Sequence, residues 1–223
     1  MDGRVRPCIS SYFRGAYPVS VTDHSTSQAR APAEADARRE AILQQAVEVF
    51  ADEGFRHADV QVIADRAGVG KGTVYRHFGN KEDLFWATTF WVFDRLRAHV
   101  LQAVETAHGT IAKLRAASLA YAEFFQAHPK CLEVFVQDRA MFRGTCPESH
   151  REHHEKLLGH FIGLLEEGIA AGEIRPVDPR QTMIALAGSI YGAVVHSCYL
   201  PGAGSLVDRA RLATDIFIEG IRS

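Results

Sequence analysis

The chain has 223 residues, of which 47% are hydrophobic and 23% are charged. A chain of this length and composition buries a sizeable core, which excludes a mostly disordered protein, a collagen-like protein and a disulfide-stapled miniprotein. Its formal net charge is −2, from 25 Lys and Arg against 27 Asp and Glu. The total charge alone therefore gives no reason to expect a polyanionic partner.

Cysteine spacing and hydropathy favour a cytoplasmic protein with no membrane partner. The cysteines are Cys8, Cys131, Cys146 and Cys198. No two of them form a Cys-x-x-Cys pair, so free thiols in a reducing cytosol are expected. Residues 181–207 contain no Asp, Glu, Lys or Arg, but glycines and Pro201 interrupt them. A spanning helix needs roughly 20 predominantly apolar residues, so this stretch predicts a helix buried within protein instead.

The first 35 residues mix Ser, Thr, Arg and Pro without helical or strand periodicity, and they predict a disordered leader. A start codon placed too early, or an arm that touches DNA, are the alternatives. No proline occurs between Pro32 and Pro129, which permits long helices.

The first helix is predicted from about Asp36 to Glu53, because apolar residues recur there at helical spacing. Gly54 stands where a left-handed residue closes a helix, and Phe55 can supply the apolar contact behind it.

Two short helices follow. Asp59 is a suitable N-cap for the first, which Gly68 ends, and the second runs from Lys71 to Phe78. Longer helices are expected at about 81–107, 110–127, 130–143, 147–171, 178–199 and 205–221. No segment has convincing strand alternation and no internal repeat is found. The predicted fold class is therefore all-α, with about nine helices: a three-helix helix-turn-helix domain followed by a helical domain.

Residues 59–78 have the helix-turn-helix pattern of two short helices joined by a tight turn that contains glycine. Residues 66–81 contain four Lys and Arg and no Asp or Glu, whereas residues 36–85 contain seven Lys and Arg against nine Asp and Glu. Positive charge is thus confined to the edge that would meet DNA. Phosphate contacts need local cations and backbone N–H groups, and do not need a basic domain.

The stretch AGVGKGTVYRHFGNKEDLF at residues 67–85 resembles the DNA-binding domain of the TetR family of bacterial transcription regulators. The residues that match the family pattern are Ala67, Gly68, Val69, Gly72, Val74, Tyr75, His77, Phe78, Lys81, Glu82 and Leu84. The resemblance implies a DNA-binding domain at 36–96 and a helical ligand-binding and dimerisation domain at 97–223. It also implies a homodimeric repressor that a small-molecule effector releases from a palindromic double-stranded DNA operator.

The resemblance also implies residue roles. In the family, the residues that match Lys71, Gly72, Thr73, Tyr75 and His77 contact DNA, and the residue that matches Lys81 pairs with a phosphate. Side-chain type adds Arg76, which can reach a phosphate or a guanine edge, and Gln61, which can reach backbone or base.

Two positions depart from the family pattern. Asp59 stands where a Thr usually caps the second helix, and Gly70 stands where Ser is common. An acid caps a helix as well as Thr does, but it repels a nearby phosphate. The usual contact between that Thr and a phosphate is therefore not expected here.

Aromatic residues are frequent after residue 85, and each of them is more simply explained as core packing. An apolar effector pocket in the second domain is the functional interpretation. The residues predicted to line it are Trp86, Phe90, Tyr121, Phe125, His128, Met141, Phe142 and Tyr191.

The last two helices predict self-association, because small residues on one stripe let another backbone approach closely. The predicted dimer interface consists of Ala185, Gly188, Gly192, Leu212, Ile216 and Phe217. Dimers of the family pair their last two helices into a four-helix bundle. A two-fold dimer also suits a palindromic operator, whose half-sites lie about 34–36 Å apart.

His150, His153 and His154 are weak candidates for a Zn²⁺ site, since helical spacing brings them to one face. The surrounding Arg, Glu and Lys favour a solvated helix face instead, so no metal and no cofactor are predicted. No catalytic motif is recognisable, and an enzyme is not expected. Two alternatives remain open: a metal- or small-molecule-binding helical sensor or enzyme that does not act through DNA, and a TetR-like activator or ligand-independent regulator.

Overall fold

The computed structural model describes residues 30–141, 148–196 and 204–223, apart from the side chains of residues 30–33, 139–141, 149, 150 and 153. The described residues form nine helices: α1 Arg30–His57, α2 Val60–Arg66, α3 Lys71–Phe78, α4 Lys81–Glu105, α5 Thr110–Ala127, α6 Pro129–Met141, α7 Glu148–Ala170, α8 Pro179–Val195 and α9 Leu206–Ile221. Within these ranges the β-structure is limited to one isolated bridge, between Ile174 and Arg222. The predicted all-α fold class is confirmed.

The first helix begins at Arg30 rather than at Asp36. Residues 30–35 are rich in alanine, the best helix former, and Pro32 lies in the first turn, where a backbone N–H has no intrahelical partner. The expected absence of structure over residues 1–35 is therefore wrong for residues 30–35. Residues 1–29 lie outside the described ranges.

The end of α1 is kinked at Gly54. This residue has φ 72° and ψ 157°, a region open essentially to glycine alone. The positive φ agrees with the prediction, but ψ is extended, so the chain bends and one more helical turn follows. Phe55 then packs between two rings, with centroids 6.2 Å from Phe50 and 5.2 Å from Phe85.

The first three helices share one core with the start of α4. The fully buried side chains there include Ile42, Leu43, Phe50, Ile63, Val74 and Phe85. The rings of Phe50 and Phe85 meet edge to face with centroids 5.0 Å apart. Each such side chain contributes roughly 1.5–3 kcal/mol by burial, so the orientation of α3 is fixed by its apolar side.

Helix α1 is also tied to the second half of the chain. Lys130 of α6 donates to Glu48 and Asp52 of α1, at 2.6 and 2.9 Å. The side-chain amide of Gln137 accepts from the Phe55 N–H at 3.1 Å and donates to the Phe50 carbonyl at 2.8 Å. Helix α6 thus holds the kinked end of α1 directly.

In the second half of the chain, α5 and α7 touch where Thr110 meets Gly168. A Cβ at Gly168 would lie 2.7 Å from Thr110 Cγ2, so only glycine permits this approach. The Glu173 carboxylate accepts from the backbone N–H of Thr110 at 3.0 Å and so caps α5. Across the described ranges, no helix combines the length and the apolar character needed to cross a membrane.

Candidate nucleic-acid interface and cavity

Helices α2 and α3 meet across a short turn. Asp59 caps α2 by accepting from the Gln61 N–H at 2.8 Å, and Gly68 adopts φ 67° after the helix ends. The Val69 N–H then donates to the Ala64 carbonyl at 3.0 Å, which closes the turn. With Val74 and Phe78 buried, the opposite side of α3 faces outward.

The outward side of α3 carries the residues predicted to meet DNA. Gly72, Tyr75 and Arg76 are exposed, while Lys71, Thr73 and His77 are half-buried. Tyr75 is 40% exposed, and it is one of four large hydrophobic residues that are exposed in the described part of the chain. A single exposed aromatic residue is common on protein surfaces, so Tyr75 gains meaning only from the basic residues beside it.

Two arginines that the sequence reasoning missed add positive charge to this surface. The Arg39 guanidinium lies over the Phe78 ring, 5.4 Å from its centroid. Burial lowers the pKa of His77, and the fields of Arg76, Arg39 and Arg38 lower it further. His77 is therefore neutral at pH 7 and can both donate and accept a hydrogen bond. The available signal was the Arg38-Arg39 pair one turn before the first buried residue of α1.

Two of the predicted contact residues are held by neighbours. Lys81 Nζ donates to the Arg56 carbonyl at 3.1 Å and lies 5.2 Å from the centroid of the Phe55 ring. The Gln61 side chain donates to Asp65 at 2.7 Å. Both side chains are thus fixed at the surface before any partner arrives.

Asp59 is the exception in this cationic region. Its carboxylate accepts from the Lys71 ammonium at 3.4 Å, in addition to capping α2. The hydrogen bond from the Gln61 backbone is the largest cause that lowers the pKa of Asp59, and Lys71 and Lys81 lower it further. The carboxylate is consequently ionised at neutral pH.

Two family profiles match the chain: "Bacterial regulatory proteins, tetR family" over residues 42–88 and "Tetracyclin repressor-like, C-terminal domain" over residues 107–194. The sequence is also 31% identical over 150 residues to the transcriptional repressor KstR2 of Mycolicibacterium smegmatis, covering 65% of this chain and 71% of that protein. The chain belongs to the TetR family of bacterial transcription regulators. It is accordingly a DNA-binding transcription regulator, and a helical sensor or enzyme that does not act through DNA is not favoured.

Two further regulators resemble the chain over different extents. The transcriptional activator FasR of Mycolicibacterium smegmatis is 41% identical over 91 residues, which are 41% of this chain and 42% of that protein. The structure of the fatty acid degradation regulator FadR from Bacillus halodurans superposes with a TM-score of 0.69 at 24% identity. That match covers 82% of this chain and 99% of the other, and it shows the shared fold.

A cavity of about 440 Å³ that is partly open to the surface lies among α4, α5, α7 and α8, with Phe135 of α6 also in its wall. Its wall is mainly apolar. The wall residues with polar side chains are Arg97, Ser118, Tyr121, His154, Glu155 and Tyr191. Arg97 is paired with Asp94 at 3.0 Å, and Glu155 is paired with Arg180 at 3.0 Å. The cavity is therefore largely apolar, with charged groups on part of its wall. This pattern is typical of small-molecule sites.

Only some of the residues predicted to line the pocket lie in the cavity wall. Tyr121 and Tyr191 lie in the cavity wall, but Trp86, Phe90, Phe125 and His128 do not. Trp86 and Phe125 are buried elsewhere in the core, and His128 caps the C-terminal end of α5. The side chain of Met141 and all of Phe142 lie outside the described ranges. Aromatic content alone did not distinguish a cavity wall from a filled core.

Several cavity residues were not singled out from the sequence. On α4 they are Phe93, Leu96, Arg97 and Val100. Their spacing of three, four and seven residues marks one helical face, but the same spacing is equally typical of a closed core. Arg97 within that face was the one signal available.

The predicted dimer residues lie mostly at the surface. Ala185 and Gly188 are exposed, Gly192 and Phe217 are half-buried, and Leu212 and Ile216 are 62% and 68% exposed. Gly188 also borders the cavity. Ile184, 46% exposed, adds a further large apolar side chain that the sequence reasoning did not name.

His154 does not lie on a solvated helix face as expected. Its ring packs against Phe93 with centroids 4.1 Å apart, and it borders the cavity. The side chains of His150 and His153 lie outside the described residues. Among the described side chains, no group of three or more His, Cys, Asp or Glu is arranged to hold a metal ion.

Proposed function

We propose that this TetR-family protein is a repressor that binds a palindromic operator as a two-fold dimer. A small amphipathic ligand in the cavity releases it from DNA. Residues 36–96 form the DNA-binding domain, and residues 97–223 form the effector and dimerisation domain. The protein acts in the cytoplasm, where its operator is found. The observation that carries the proposal is one chain with both an exposed, cationic α3 and an apolar cavity.

The operator contact is proposed to lie on α3 and its flanks. Tyr75, Arg76 and Gly72 are exposed there, and Lys71, Thr73 and His77 stand beside them. Gln61 and Lys81 flank this surface, and we add Arg38 and Arg39 as phosphate contacts. Cations and backbone amides near the duplex supply sequence-independent affinity, while side chains that reach base edges supply specificity. Because His77 is neutral, it is better suited to a contact with a base edge than to a contact with a phosphate.

The dimer is proposed to form through the outer faces of α8 and α9. Ile184, Leu212 and Ile216 are exposed there, and Ala185 and Gly188 leave room for a second backbone. Leu212 and Ile216 stand four residues apart on α9, one helical turn along the same side of that helix, and Ile184 of α8 also borders the cavity. A second copy that covers them would bring two α3 helices onto one operator, whose half-sites are about 34–36 Å apart.

The effector is proposed to be an apolar molecule with one polar or charged group. Most of the wall is apolar, and Arg97, His154 and Tyr191 offer groups that can fix the polar end. Phe135 of α6 is part of the wall, and Gln137 of the same helix holds the end of α1. A ligand that displaces α6 therefore acts on the DNA-binding domain through contacts already present. Release requires only that the ligand prefers the state with lower operator affinity.

The test separates the two surfaces with two tyrosine variants. A labelled duplex that carries the region upstream of the gene reports DNA binding by fluorescence anisotropy, and 1-anilinonaphthalene-8-sulfonate reports cavity binding. Tyr75→Ala should lose DNA affinity and keep dye binding, whereas Tyr191→Ala should lose dye binding and keep DNA affinity. A reporter gene behind that promoter should be derepressed by Tyr75→Ala. Lower reporter expression instead would identify an activator, and equal effects of both variants on both probes would contradict separate sites.

A further inference from the structure

Asp59 is an acid placed where the proposed DNA surface is otherwise cationic. Its carboxylate is exposed and lies 3.4 Å from the ammonium of Lys71, the first residue of α3. Lys81 is close enough to act on it electrostatically. No Asp or Glu occurs between Arg66 and Lys81. Asp59, which precedes this segment in the chain, therefore places a negative charge beside residues that carry only positive ones.

Asp59 has two contacts, one that caps α2 and one with Lys71, and they place different demands on its side chain. The Gln61 N–H at 2.8 Å needs an acceptor oxygen, which an uncharged Asn or Thr would also provide. The contact with Lys71 uses the negative charge. Capping alone therefore does not require an acid at this position.

A carboxylate beside Lys71 opposes phosphate binding in two ways. It repels the phosphate that approaches α3, and it competes with that phosphate for the Lys71 ammonium. In water, two unit charges about 7 Å apart change binding by roughly threefold per head, and so by close to tenfold for a dimer with two heads on one duplex at low salt.

We propose that Asp59 sets the sequence-independent DNA affinity of this regulator. It holds Lys71 in an ion pair that competes with phosphate. Every random duplex offers phosphates, whereas only the operator offers the matching base edges. When phosphates are bound more weakly, fewer molecules of the regulator are bound to the many competing non-specific sites in the genome. The proposal rests on the α2–α3 surface proposed above as the operator contact.

The decisive variant is Asp59→Asn, which keeps the capping oxygen and removes the charge. In full-length protein, its affinity for a random-sequence duplex should rise roughly threefold to tenfold in about 50 mM salt. The slope of log affinity against log salt should become steeper by about one per head, because Lys71 now takes up a phosphate. Both changes are measured by fluorescence anisotropy across a salt series.

Asp178→Asn is the matched control. Asp178 caps α8 in the same way, by accepting from the Gln181 N–H at 2.8 Å, but it lies outside α1–α4. This variant changes the net charge equally and should alter DNA affinity by less than about twofold, since distant exposed charges are screened. Thermal unfolding of both variants verifies that the caps are intact.

A double-mutant cycle with Lys71→Ala assigns the mechanism. If Lys71 is the competing group, much of the gain from Asp59→Asn disappears in the Lys71→Ala background. An undiminished gain there, or no gain in Asp59→Asn alone, would overturn the proposal. If Tyr75→Ala binds DNA as the unaltered protein does, the proposed operator surface fails together with it. Loss of binding in Tyr75→Ala without a gain in Asp59→Asn would reject only the role of Asp59.

Discussion

Replacing Gln137 by Met should destabilise the protein by loosening the kinked end of α1. Met keeps the length and volume of the side chain but removes the hydrogen bonds to Phe55 N–H and the Phe50 carbonyl, at 3.1 and 2.8 Å. Two lost hydrogen bonds, at about 0.5–1.5 kcal/mol each, correspond to about 1–3 kcal/mol. For a chain of this size, that lowers the thermal midpoint by roughly 3–9 °C.

The assay is thermal unfolding followed by circular dichroism at one fixed protein concentration, because the midpoint of any protein that self-associates depends on concentration. Gln137→Glu keeps the acceptor for Phe55 N–H but sets a carboxylate oxygen against the Phe50 carbonyl, so its midpoint should also fall below that of the unaltered protein. The control is Gln102→Met, at an exposed position of α4. A midpoint for Gln137→Met within about 2 °C of the control would refute the claim that this amide holds α1.

Three further predictions concern the proposed surfaces. Arg39→Gln should weaken binding to any duplex and make the slope of log affinity against log salt shallower by about one per DNA-binding domain, as measured by fluorescence anisotropy. An unchanged slope would show that Arg39 does not contact phosphate. Ala117→Phe, which projects into the cavity, should abolish dye binding while DNA binding persists, unlike Ala112→Phe on the exposed side of α5. Ile216→Glu should give a folded monomer by analytical ultracentrifugation, because the side chain is 68% exposed and its loss costs little in the monomer. A dimer that survives this change would place the interface elsewhere.

The fold and the DNA-binding segment were predictable because their signals are local. Asp59 and Asn80 cap their helices as side chains close in sequence allow, and Val74 and Phe78 stand one turn apart on the buried side of α3. Gly68, Gly79 and Gly109, each with a positive φ, mark three of the points where regular helix stops. These features need no knowledge of distant residues.

The cavity could not be predicted in the same way. Its wall combines Phe93 of α4, Tyr121 of α5, His154 of α7 and Met183 of α8, which meet only after the helices have packed. Nothing local distinguishes a residue beside a cavity from one beside another side chain. Arg39 was missed for a related reason, since its place near α3 depends on how α1 packs over Phe78.

The close approach of Thr110 and Gly168 has a mechanical consequence. It fixes the spacing of α5 and α7 at one end, where no methyl group could be inserted. Along α7, Phe161 lies about 10 Å from this point and His154 about 21 Å, at 1.5 Å per residue. A pivot of α7 at Gly168 would therefore move His154 about twice as far as Phe161. Ligand bulk that displaces Phe161 would accordingly shift His154 by about twice that amount.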